Sequence, residues 1–100
     1  MTKKLTIQDY TRVLLNEDGC AVTIYPVLEN GLPAAIVKFN LKTQTCEILQ
    51  SLDSINKEEL ENCVYNHRIS ELEKLKSVSH EDTFEILDNL LSDLQQKIHK

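Results

Sequence analysis

The sequence predicts an α+β fold: an N-terminal helix, a three-stranded antiparallel β-meander, then two C-terminal helices forming an antiparallel hairpin, in the order α-β-β-β-α-α. Three observations carry that expectation. The apolar period changes from three-to-four to two at Cys20, Asn30–Gly31 separates two alternating runs, and a capped stretch of helical period fills the chain after Leu52.

The first helix is expected over residues 6–17. Thr6 and Asp9 resemble a weak capping box, Ile7, Tyr10, Val13 and Leu14 recur at helical spacing, and Asp18–Gly19 ends the run. From Cys20 the residues alternate as the two faces of a strand do, with Cys20, Val22, Ile24, Pro26 and Leu28 on one side. Asn30–Gly31 tolerates positive φ at both central positions of a type I′ turn, so a two-residue hairpin loop follows.

That loop pairs Glu29 with Leu32, Ile24 with Val37 and Val22 with Phe39. Val22, Ile24, Leu28, Ala35, Val37, Phe39 and Leu41 then share the core face, and Thr23, Tyr25, Val27, Leu32, Ala34 and Ile36 face outward with Glu47 and Leu49. A four-residue turn at Lys42–Thr45 sets Cys46 opposite Leu41 and Ile48 opposite Phe39. The second strand is then central, Pro26 lies on an edge strand, and Pro33 stands at the start of the central one, where a missing N–H is tolerated.

After Leu52 the strongest local signal is Asn56 with Glu59 three residues on, flanked by an Ile55–Leu60 hydrophobic staple. It starts a helix running to about Lys76, with Leu60, Val64, Ile69, Leu72 and Leu75 on a broad apolar arc. Ser79 is the expected cap of a third helix, with Glu81 and Asp82 in its first turn and Lys97, His99 and Lys100 near its end. Phe84, Leu87, Leu91, Leu94 and Ile98 recur in alternating steps of three and four, the spacing of a packing seam.

One hundred residues, 41% of them apolar, bound the chain to one small domain over 1–100. The formal charge of −5, with basic residues scattered, argues against a protein that wraps nucleic acid. The longest apolar runs, such as Leu32 to Val37, stop far short of the ~20 residues of a membrane span, and the N-terminal residues lack the apolar segment of a secretory leader. Cys20, Cys46 and Cys63 are widely spaced with no C-x-x-C pair, as expected of reduced thiols rather than a disulfide framework. A cytoplasmic protein without membrane contact is the expectation.

Few residues form a chemical pattern. Cys63 and His67 are four apart on one helix, but a zinc site needs one or two more ligands and none stands at a recognisable spacing. No metal, cofactor or catalytic residue is assigned, and Gly19 and Gly31 each serve a turn rather than a phosphate loop. Arg68 lies within the apolar arc of its helix, where the readings are that it snorkels to water, pairs with Glu71 or anchors an interface.

The functional expectation is a non-enzymatic protein-interaction module, an adaptor, chaperone-like or inhibitor protein, whose partner is another protein or a second copy of itself. Its candidate contact residues are Tyr25, Val27 and Ile36 on the outer sheet face, Arg68, and Leu87, Leu91 and Leu94 on the last helix. An alternative is a small enzyme or ligand-binding domain in which Cys63, His67, Arg68 and Tyr25 meet in a pocket between sheet and helices. A third is a nucleic-acid-associated or nucleic-acid-mimicking regulator, against which the lysines interleaved with the helical carboxylates weigh.

Overall fold

A computed structural model describes residues 4–8 and 12–98, and over these the chain forms five strands followed by two helices. The strands are β1 (Leu5–Ile7), β2 (Arg12–Leu15), β3 (Ala21–Glu29), β4 (Leu32–Asn40) and β5 (Thr45–Ser51). After them come α1 (Lys57–Ser77), a 3₁₀ turn (Glu81–Thr83) and α2 (Phe84–Lys97). All strand pairings are antiparallel in a single sheet of order β1-β3-β4-β5, with β2 pairing β3 beyond the end of β1.

The expected N-terminal helix is therefore absent, and the order is strands then helices. Tyr10 and Asp9, which contributed to that expectation, lie outside the described residues. Ile7, Val13 and Leu14 fit a helical period, but the same stretch also fits period two, with Leu5 and Ile7 in one piece and Val13 and Leu15 in the other. β-branched Thr6, Ile7 and Val13 suit an extended chain. The edge of β3 supplies the tertiary hydrogen bonds that decide between the two.

Pro26 explains why that edge is split. Gln8 N donates to Pro26 O at 3.1 Å, so the carbonyl of Pro26 points to the edge side, and its N–H would point there too had proline one. Pairing passes from Ile7↔Val27 to Arg12↔Ile24, so the edge chain uses two more residues than β3 beside this missing donor. Pro26 thus sits in an interior strand rather than the expected edge strand, between the positions where β3 pairs with β1 and with β2.

The Asn30–Gly31 turn forms with both φ values positive, 52° and 87°, and pairs Glu29 with Leu32 as expected. One step later the register departs from expectation. Leu28 pairs with Pro33 but Val27 with Ala35, which leaves Ala34 as an extra residue in β4. A one-residue slip turns every later side chain of β3 to the other face. Thr23, Tyr25 and Val27, rather than Val22, Ile24 and Leu28, therefore join Ala35, Val37 and Phe39 on the core side. At the next hairpin Phe39 pairs with Cys46 and Val37 with Ile48, two residues from the expected register, and an even slip leaves Cys46 and Ile48 on the core face.

The helices follow their local signals closely. Asn56 Oδ1 accepts from Glu58 N at 2.8 Å and Glu59 N at 3.2 Å, and Ile55 and Leu60 are both buried beside that cap. Ser79 does not cap the next helix: its hydroxyl donates to Leu75 O at 2.6 Å and closes α1, and α2 begins only after the 3₁₀ turn. His99 and Lys100 lie outside the described residues.

Both helices lie on one face of the sheet. Leu60, Val64, Tyr65 and Leu72 of α1 and Leu87 and Leu94 of α2 share a core with Tyr25, Val27, Val37 and Phe39. The turn between β4 and β5 is latched to α2 as well. Gln44, buried with φ 56°, donates through Nε2 to Leu90 O at 3.1 Å and Asp93 Oδ2 at 2.8 Å, and Lys97 Nζ donates to the carbonyls of Thr43 and Gln44, each at 2.7 Å.

Candidate functional site

The register slip at Ala34 decides which residues face away from the helices. On β3 they are Val22, which is itself buried, and half-buried Ile24, Pro26 and Leu28; on β4 Ile36 and Lys38; on β2 Leu14, which pairs with Val22. No described helix crosses this side. Leu14 and Ile36 are 43% and 37% exposed, and Leu49, the extra residue where β5 bulges against β4, is 50% exposed. An antiparallel sheet covered on one face ordinarily alternates apolar and polar side chains, whereas here residues facing away from the described helices are mostly apolar as well.

The face has relief. Around the bulge a groove of about 280 Å³ is lined by Pro26, Leu28, Ala34 and Ile36, with Gln8 and Leu52 at its border. Small Ala34 leaves the hollow and Pro33 holds the strand off a regular ladder. The charged pair on this side, Lys38 and Glu47, faces across β4 and β5 at 3.5 Å. Apolar sheet surface with an ion pair and a shallow groove can hold another apolar surface; it offers few groups for polar chemistry.

Beneath the helices a second cluster ties β3 to α1. Tyr25 OH donates to Glu71 Oε1 at 2.6 Å; Arg68 reaches the same oxygen at 3.6 Å, and His67 Nε2 lies 3.7 Å from Oε2. The Tyr25 and His67 rings meet edge to face at 5.3 Å. Burial, reinforced by the bond to Glu71, holds the Tyr25 phenol well above its ordinary pKa, so it stays protonated and keeps donating. Arg68 Nε is buried with no partner among the described residues.

Three of the four residues expected to meet in a pocket, Tyr25, His67 and Arg68, do converge, with Glu71 as their hub. Tyr25 and Arg68 are held to Glu71 rather than lining that pocket, and His67 both approaches Glu71 and borders the hollow beside Cys63. Cys63 lies a turn away, where an open hollow of about 510 Å³ is bounded by Leu5, Ile7, Cys63, Asn66 and His67. Its thiol is 3.7 Å from Leu5 O, to which it donates, and burial raises its pKa. That is the reverse of what a nucleophilic thiolate needs. Burial likewise pushes the Cys46 thiol up to about 11. Among the described residues no group of three or more His, Cys, Asp and Glu side chains is placed to hold a metal ion.

Of the other candidate contact residues, Tyr25 and Val27 lie under α1 at 1% and 0% exposure, and Leu87 and Leu94 are core residues. Leu91 is partly buried against the same core and Ile36 stands on the open face. Sequence reasoning placed Val22, Ile24 and Leu28 on the core face. The signal that would have moved them is Pro33 followed by two small residues just after the turn, a composition suited to a bulge. Leu14 was hidden by its reading as helical.

The chain matches no family model, and it matches neither curated proteins nor solved structures. No described helix is long and apolar enough to cross a membrane.

Proposed function

We propose that the protein is a non-enzymatic interaction module whose contact surface is the sheet face opposite the helices. The observation that carries this reading is the disposition of β3. Alternate residues of one strand are either sealed under α1, as Tyr25 and Val27 are, or left on a face with no helix over it, as Ile24, Pro26 and Leu28 are. Contiguous apolar surface of this kind is stabilised when another surface removes it from water, at roughly 25 cal/mol per Å² of apolar area. The reading includes a reducing, cytoplasmic setting, supported by three free cysteines.

A photo-crosslinking side chain at position 36, introduced in living cells, tests it. The expected result is a discrete protein adduct from position 36 and none from exposed Glu73 on α1. Adducts from 73 but not 36 would place the contact elsewhere, and no adduct from either would remove the proposal.

A further inference from the structure

We draw no further inference here: the strongest candidate, the apolar groove around the Ala34 bulge on the sheet face opposite the helices, bounded by Pro26, Leu28, Ile36 and Leu52, carries none because nothing in the structure shows what covers it.

Discussion

The two faces of β3 differ in what the rest of the chain gives them. Under α1, Tyr25 and Val27 meet helix side chains, and a buried phenol bonds across 46 residues of sequence to Glu71. On the reverse face, Ile24, Pro26 and Leu28 are as apolar, but no described helix covers them. Apolar composition on both sides of a strand therefore does not distinguish a core from a contact surface; what distinguishes them is whether an element of the same chain arrives to cover each side.

Substitutions on the two faces should separate cleanly. The largest effect is expected from Phe39→Ala, which empties a fully buried site against Tyr65 and Tyr25 and should cost about 3–5 kcal/mol in urea unfolding. Tyr25→Phe keeps the ring but takes the donor from Glu71, and about 1–2 kcal/mol should be lost in the same measurement. A loss as small as that of a surface mutant would mean the clasp adds nothing to the covered face.

Alkali probes the covered face differently. Burial lifts the Cys46 thiol from 9.0 to about 11, so the folded chain holds a proton that the unfolded chain releases. Stability is complete below the unfolded value and is lost as pH rises from about 9 through 11. Cys46→Ala should flatten that decline in a series of urea midpoints against pH, leaving the later loss due to Tyr25 and Tyr65, whose phenols are also raised. The smallest effect is expected on the open face. Ile36→Lys should change the unfolding free energy by no more than ~0.5 kcal/mol. A loss above 2 kcal/mol would show that Ile36 belongs to the core after all.

Legibility in the sequence followed the range of the interactions. Asn56, with Ile55 and Leu60, announces the start of α1 because a cap is completed within five residues, and Asn30–Gly31 announces its turn for the same reason. The open face was harder to read because it depends on one bulged residue, Ala34, and a one-residue slip exchanges all of β3's inward and outward side chains. The strands β1 and β2 were hidden further, since their hydrogen bonds go to a strand up to 24 residues away and their apolar spacing also fits a helix. The Tyr25–His67–Arg68 convergence stood only as an alternative, since spacing alone does not bring these residues together; Glu71 was legible as a partner of Arg68 three residues before it, but not as the acceptor for Tyr25, 46 residues away.

The missing donor at Pro26 has a kinetic consequence. A continuous edge strand would zip onto β3 from one end, each new bond fixing the next, whereas here Pro26 accepts from Gln8 N but has no N–H to give in return. β2 closes a short hairpin with β3 through the turn at Asn16–Cys20, while β1 must complete a much longer loop and is held by Leu5 and Ile7 against the core. The two pieces should consequently open as separate units, and their amides should exchange with solvent deuterium at two different free energies.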